Sequence, residues 1–348
     1  MKINAINTFL NFRNKITISP YQGGVGVGLS GVSAETIKNE NDVFIKQEKA
    51  AGIATLSYDD KNIIDFINLK RNEDYSKWRF NLSVTVPDNF FELVDSNPEV
   101  RRTYDAMIDA MHYCAEPGMI FIDRVNAANP VPSLPYKSFS PCADMALIEG
   151  EMPSVSHINL ASFCEDGKIN FEKLEKAAAD LTVELDGKTN EPKRTIAIGV
   201  CGYADLLSKM GLEYGSPEAL NVLETTLETI NYASKSKSTE LAKERGAFKA
   251  FPQSIYKDEI RNAATTALSP FVGDASSSIE PLSLVSPEAY IRTVAAAQKH
   301  VDNGVSMTVN LANDATKEDI DKAVRLAAEL KLKGITFFRE GCLEERKC

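Results

Sequence analysis

A cysteine with a carboxylate two residues on, in Ser140-Pro141-Cys142-Ala143-Asp144, is one of the few places in this sequence where reactive side chains gather. A thiolate is a nucleophile and a nearby carboxylate can move protons. A lone cysteine also serves as a small buried hydrophobe, so the segment alone leaves both roles open. Gly26-Val27-Gly28-Leu29-Ser30-Gly31 spells the GxGxxG pattern of a dinucleotide fingerprint, which requires a strand before it and a helix after it. The strand candidate at 16–18 runs into Pro20, and residues 33–48 are poorly amphipathic. The alternative is a glycine strand or turn where a backbone comes close to something. Cys201 ends an apolar run and reads as core filler, while His157, Asn159 and Glu280 are polar residues in apolar settings, the usual place of hydrogen-bonded core groups. The other cysteines, at 114, 164, 342 and 348, form no metal-type CxxC pair, and the three histidines at 112, 157 and 300 are isolated. No metal site is expected.

The elements that must position these groups are visible as punctuation and period. Ser216-Pro217 and Ser286-Pro287 each supply a cap followed by proline at the first helical position, with Gly246 ending the first helix. Thr316 with Asp319 is a capping-box variant opening a helix expected to stop at Gly334. Asn97-Pro98 and Asn170 open two more. Between the helices lie β-rich runs at 53–57, 80–86, 119–122, 195–200, 306–311 and 334–338, several apolar on both faces as buried parallel strands are. Residues 126–153, with five prolines, read as an irregular excursion. Strands alternating with helices predict an α/β architecture, open sheet or barrel, in one domain.

Composition narrows the classes. The 348 residues are 43% apolar and carry 49 acidic against 39 basic side chains, a net charge of −10 without a polybasic tract. This disfavours a partner that is a nucleic acid polymer. No apolar run approaches the ~20 residues of a membrane-spanning helix, and the amino end lacks the features of a secretory signal. Six unpatterned cysteines suit a reducing cytoplasm.

Taken in order, the local motifs resemble the catalytic subunit of ribonucleotide reductase, nearest the adenosylcobalamin-dependent class II branch. QGGVGV at 22–27 is similar to the family's glycine-rich strand, DKNIIDFINLKR at 60–71 to a following helix, and FNLSVTVP at 80–87 to the next strand. EPGMIFIDRVN at 116–126, SPCAD at 140–144 (where the family has NPCGE), INLA at 158–161, GVCGYADLL at 199–207, AKERGAF at 242–248 and SSIEP at 277–281 continue the series, and the run from Val301 to Gly341 resembles the class II carboxyl end. The resemblance implies a ten-stranded α/β barrel in which an internal finger loop carries a radical cysteine, here Cys142. It implies Asp144 as acid/base group, Ser140 as a hydroxyl-binding partner, and Gly23, Gly24, Asn159, Ser277 and Ser278 as substrate-binding positions. The implied cofactor is adenosylcobalamin and the implied ligand a nucleotide.

The departures bear on the reaction. Ser140 and Asp144 replace the family's Asn and Glu, Pro153 stands where its reducing cysteine belongs, and residues 1–22 hold no partner cysteine. The segment before Ile279-Glu280-Pro281 is shorter than the family's phosphate loop, and the amino-terminal effector and helical regions have no counterpart, so 1–348 reads as one minimal barrel domain. Cys342 and Cys348 sit on an end, 339–348, expected to be a mobile tail where family members carry redox thiols. Three readings follow: a radical enzyme acting through a thiyl on a nucleotide or related sugar, redox-neutral for want of the cysteine pair; the carboxyl-terminal component of a split reductase completed by a partner chain; or a non-catalytic nucleotide-binding relative. The cysteine retained beside an acid favours an enzyme. Assembly as a homodimer is compatible with each.

Overall fold

The computed structural model describes residues 16–21, 24–29, 52–71, 78–149, 153–188, 192–256, 264–265 and 285–342, with positions 38, 39, 41, 151, 279 and 281 between them. The described elements begin with strands β1 (Ile16–Tyr21), β2 (Gly24–Leu29) and β3 (Gly52–Ser57), helix α1 (Ile63–Ile67), and strand β4 (Phe80–Val86). Helices α2 (Phe90–Ser96) and α3 (Pro98–Cys114), strand β5 (Gly118–Phe121) and helix α4 (Ile122–Ala127) follow. Next come the short strands β6 (Ser138–Phe139) and β7 (Ala146–Leu147), then β8 (Ser154–Asn159), β9 (Cys164–Glu165) and β10 (Lys168–Ile169). Helix α5 (Phe171–Asp186), strand β11 (Ile196–Cys201), helices α6 (Tyr203–Met210) and α7 (Pro217–Arg245), and strand β12 (Ala264–Thr265) lead to the last four elements. These are α8 (Pro287–Gln298), β13 (Thr308–Leu311), α9 (Lys317–Glu329) and β14 (Gly334–Arg339).

The helices start where the caps predict. The Asn97 side chain accepts the Glu99 N–H at 2.9 Å ahead of Pro98, Ser216 and Ser286 cap α7 and α8 in the same way, and Thr316 and Asp319 form a reciprocal capping box on α9. Helix α9 stops at Glu329 rather than Gly334, because Gly334 already begins β14 beside β5, pairing with Ile120. A Cβ at Gly334 would meet the Met119 carbonyl at 3.2 Å. Strand β1 runs through Pro20, the residue that argued against it. It is the edge strand of its sheet, where a missing N–H breaks no ladder on the outer side.

Seven strands form one sheet in the order β1-β2-β3-β4-β5-β14-β13. Strands β2 to β5 are mutually parallel, β1 is antiparallel to β2, and β14 and β13 are parallel to each other but antiparallel to β5. A second sheet, β12-β11-β8, is all parallel. The α/β class therefore holds, with the direction of the strands reversing at β5/β14. The ten-stranded barrel expected from the resemblance is not seen closed among the described residues. Closure needs every strand edge paired at a consistent stagger, and here β13, with four residues, and β12, with two, end their sheets without a ladder joining them.

One apolar core runs through both sheets, from Leu82 and Val84 on β4 and Met107 on α3 to Val200 on β11, Leu227 on α7 and Val309 on β13. A charged pair lies within this framework. Lys70, just after α1, reaches both oxygens of Glu116 at 2.9 and 2.8 Å and donates to the Phe80 carbonyl, while Glu116 accepts the Leu82 N–H at 3.2 Å. The side chains are 2% and 9% exposed, so neither charge has water to fall back on. Replacing Lys70 by Met takes the ammonium away from a buried carboxylate, and is expected to lower unfolding free energy by about 3 kcal/mol in denaturant titration. The double replacement Lys70→Met with Glu116→Gln should recover part of that loss.

Candidate active site

Strands β6 and β7 are too short to stand alone, pairing only Ser138 with Leu147 and Phe139 with Ala146. The turn between them is closed by local bonds. The Ala143 N–H donates to the Ser140 carbonyl at 2.8 Å and the Ser140 N–H to the Met145 carbonyl at 2.8 Å. Pro141 takes the second position of the resulting β-turn, where its fixed φ is favourable, and Cys142 the third. Ala143 then adopts φ 59°, a left-handed conformation. Inside the turn the Ser140 hydroxyl donates to Asp144 Oδ1 at 2.5 Å and accepts the Met145 N–H at 3.0 Å. Cys142 is exposed at the apex, whereas Ser140 and Asp144 are each 1% exposed.

The two faces of this hairpin pack in opposite directions. Phe139 and Ala146 join Ile53 of β3, Ile120 of β5 and Val125 of α4, whereas Met145 and Leu147 join Ala197 of β11 and Val155 of β8. The hairpin is therefore wedged between the two sheets. Two segments, β4 and the loop at 301–304, grip its backbone through three hydrogen bonds. Asn81 of β4 donates to the Pro141 carbonyl at 2.9 Å, the Gly304 N–H to the Asp144 carbonyl at 2.7 Å, and the Ala146 N–H to the Asn303 side chain at 3.1 Å. A Cβ at Gly304 would sit 3.1 Å from the carbonyl oxygens of Ala143 and Asp144, which explains a glycine there.

The arrangement brings together three of the residues expected to act, with one difference. Asp144 folds back onto Ser140 instead of standing exposed beside Cys142, because its short side chain spans the turn to the hydroxyl four positions earlier. Asn159 lies elsewhere, at the end of β8, where its side chain accepts the Ala161 N–H at 3.1 Å and caps a 3-10 turn. Gly24 begins β2, and Gly26 and Gly28 lie within that strand, so the glycine pattern is a strand paired on both sides rather than a strand-to-helix turn. Gly23, Ser277, Ser278 and Cys348 lie outside the described residues.

The carboxyl end departs from expectation. Arg339, the first residue of the anticipated mobile tail, is in β14 and 4% exposed, its guanidinium donating to the Asn313 carbonyl and side-chain oxygen at 3.0 Å. Cys342 is fully buried, its N–H bonded to the Arg339 carbonyl at 3.1 Å. Burial of this kind suits packing better than exchange with an external thiol. Cys114 and Cys201 are buried as well, and burial, reinforced by Asp205, pushes the Cys201 thiol up. On β8, burial drives His157 down to about 4, keeping it neutral. Pro153 is buried just ahead of β8.

Sequence reasoning passed over Asn303, Gly304 and their support, Lys333. The one signal was the Asn303-Gly304 dipeptide, a turn former, but nothing local shows that the turn grips the hairpin.

These features define an α/β protein in which one mixed and one parallel sheet hold an inward-packed hairpin that displays a cysteine. Residues 11–103, 99–281 and 280–338 match the ribonucleotide reductase barrel domain, and the chain belongs to that family. It is 29% identical to the vitamin B12-dependent ribonucleoside-diphosphate reductase of Thermoplasma acidophilum, across 90% of this chain and 55% of that protein. The protein of the same name from Mycobacterium tuberculosis (strain CDC 1551 / Oshkosh) is 28% identical, across 86% and 57%. The chain thus spans little more than half the length of these relatives. In structure it resembles the class Id ribonucleotide reductase alpha subunit of Actinobacillus ureae, with a TM-score of 0.70 over 84% of this chain and 72% of that one, at 16% identity. That likeness speaks to the fold.

Two outcomes follow from the geometry. Brief treatment of the native protein with iodoacetamide, followed by peptide mass mapping, should alkylate Cys142 well ahead of Cys114, Cys201 and Cys342. Because His157 binds a proton less readily folded than unfolded, stability should fall as pH drops from about 6.5 towards 4. His157→Gln should flatten that part of the thermal-unfolding profile.

Proposed function

We propose that this chain is a radical enzyme of the ribonucleotide reductase family, acting through a thiyl at Cys142 on a nucleotide or related sugar. The observation that carries the reading is the hairpin wedged between two sheets, with an exposed cysteine at its apex and a buried Ser140–Asp144 pair beneath. A radical thiol must be held firmly and yet be reachable. The thiyl takes the 3′ hydrogen atom of the ribose and becomes a thiol. Asp144 handles the proton that accompanies loss of the 2′ hydroxyl as water, with Ser140 between substrate and carboxylate. The serine donates to Asp144 and accepts from Met145, which leaves one lone pair for a sugar hydroxyl. The family resemblance also assigns Gly23, Gly24, Ser277 and Ser278 to substrate binding; Asn159, whose side-chain oxygen caps the turn at the end of β8, is given no contact to it.

Adenosylcobalamin is the initiator this reading takes, since the relatives are named for vitamin B12 dependence and Cys142 is exposed. When bound, that cofactor supplies the homolytic start of radical chemistry; the protein supplies position and exclusion of water. Net reduction of the sugar also consumes two electrons, which the family takes from a cysteine pair. Pro153 stands at one of those positions, and Cys114, Cys201 and Cys342 are buried. This favours a redox-neutral reaction by the chain alone, or electrons from a partner chain of a split reductase.

The test is incubation of the chain with adenosylcobalamin and each common ribonucleotide, followed by electron paramagnetic resonance and cobalt-centred visible absorbance. A radical signal that requires nucleotide and disappears in Cys142→Ser is expected, and Asp144→Asn should slow turnover about 10²–10⁴-fold. Nucleotide binding without any radical signal, unchanged in Cys142→Ser, would identify a non-catalytic relative instead.

A further inference from the structure

We infer that Lys333 is a positioning residue for the Cys142 hairpin, acting through the loop at 301–304. Its ammonium donates to the Asp302 carbonyl at 2.6 Å and the Asn303 carbonyl at 2.9 Å. That loop holds the far side of the hairpin, through Gly304 N–H to the Asp144 carbonyl and Asn303 to the Ala146 N–H. The base from which Lys333 reaches is rigid. Its own carbonyl accepts the Phe121 N–H at 2.9 Å, tying it to β5, and the Leu332 carbonyl accepts from Arg124 at 2.6 Å. A continuous path therefore runs from the seven-stranded sheet through one ammonium to the backbone of Asp144.

Loop satisfaction alone does not call for a lysine here. Taking an ammonium out of water is costly, and an apolar side chain of similar volume would pack without that cost. Gln298 also donates to the Asn303 carbonyl, at 2.8 Å, and to the Val301 carbonyl at 3.1 Å. What the ammonium adds is several donors aimed at two converging carbonyls, with charge to strengthen each bond. Lys235 of α7 pairs with Asp302 Oδ1 at 2.6 Å, so the loop is held from a second helix as well. The charged groups around Lys333 are thus Asp302 on the loop and Lys235 on α7, and the half-buried Tyr136 feels Asp302 from the segment before β6. Burial pushes Lys333 down to about 8, Asp302 opposing and Lys235 adding. The grip therefore weakens as pH rises through that value.

As a statement about catalysis the role rests on the reading of Cys142 above; as a statement about the hairpin it does not. Amide hydrogen exchange, read by peptide mass spectrometry and corrected for intrinsic rates, tests it on the purified chain. In Lys333→Met, exchange across 138–148 should rise about tenfold or more at pH 7, while β3 and β4 stay protected. Lys333→Arg, which keeps charge and donors, should restore protection, and should abolish the loss that the natural protein shows above pH 8. Asn303→Leu should expose the same segment and Asn303→Asp should not, because Asp keeps the acceptor. Where turnover is measurable, Lys333→Met should lower kcat with KM nearly unchanged, as misplacement of a reacting group does. Unchanged exchange in both Lys333→Met and Asn303→Leu overturns the inference whether or not the chain turns over. So does an equal rise throughout the sheets, which would make Lys333 a general stabiliser. Absence of turnover in the natural sequence counts against the proposed function alone, since the exchange result still decides this one.

Discussion

The bond from the Gly304 N–H to the Asp144 carbonyl, 2.7 Å long, joins the carboxyl-terminal part of the chain to the turn that carries its exposed thiol. The hairpin has two-residue arms and cannot hold its own shape. Its geometry is set by what surrounds it: apolar contacts from two sheets, and hydrogen bonds from β4 and the 301–304 loop. The approach at Gly304 is tighter than a Cβ ordinarily meets, so a side chain there would push on the turn, and the residue helps to set it alongside Pro141 within it. Shifting that loop by a few tenths of an ångström would move Asp144 with it.

Much of the fold can be read from the chain because its signals are local. A cap and a proline decide where α3, α7 and α8 begin, whatever the helix later packs against. The strands β3, β4, β11 and β14 lie close to where apolar β-rich runs predict them. The misses have long-range causes. Pro20 is compatible with β1 only because β1 is an edge, and edge position is a property of the assembled sheet. The short helices α4 and α6 give too few turns for a period to emerge. Gly334 looks like a helix stop yet is needed for its approach to β5.

The site divides in the same way. Cys142 was legible because cysteine beside proline and a carboxylate is an unusual local grouping, and the order of motifs around it led to the family. The orientation of Asp144 was not, since either direction satisfies the local chain and the choice depends on the Ser140 hydroxyl being available. Asn303 and Gly304 read as an ordinary turn and Lys333 as an ordinary charged residue before a strand. Only their meeting with the hairpin gives them meaning. Cys342 erred in the opposite sense: its polar neighbours suggested a mobile end, while its own side chain is buried under the fold.

The hairpin's supports share a feature that bears on why they are polar. At its exit, the Ile148 N–H donates to Glu151 Oε2 at 2.8 Å; the other oxygen takes the Thr195 hydroxyl at 2.5 Å and pairs with Lys193 at 3.1 Å. At its entry, Tyr136 lies under the same Lys193 ammonium, 4.7 Å from ring centroid to nitrogen. Burial pushes Lys193 down, with Glu151 opposing, much as burial acts on Lys333. Apolar residues would fill these places at lower desolvation cost. They would not fix direction, since hydrophobic contact tolerates sliding and rotation that a hydrogen bond of this length does not. The orientation of a turn this short therefore depends more on directional contacts than on added burial. Lys193, buried at its exit, and Lys333, half-buried at its flank, with Asn81 at its tip, provide that direction from elements scattered along the chain.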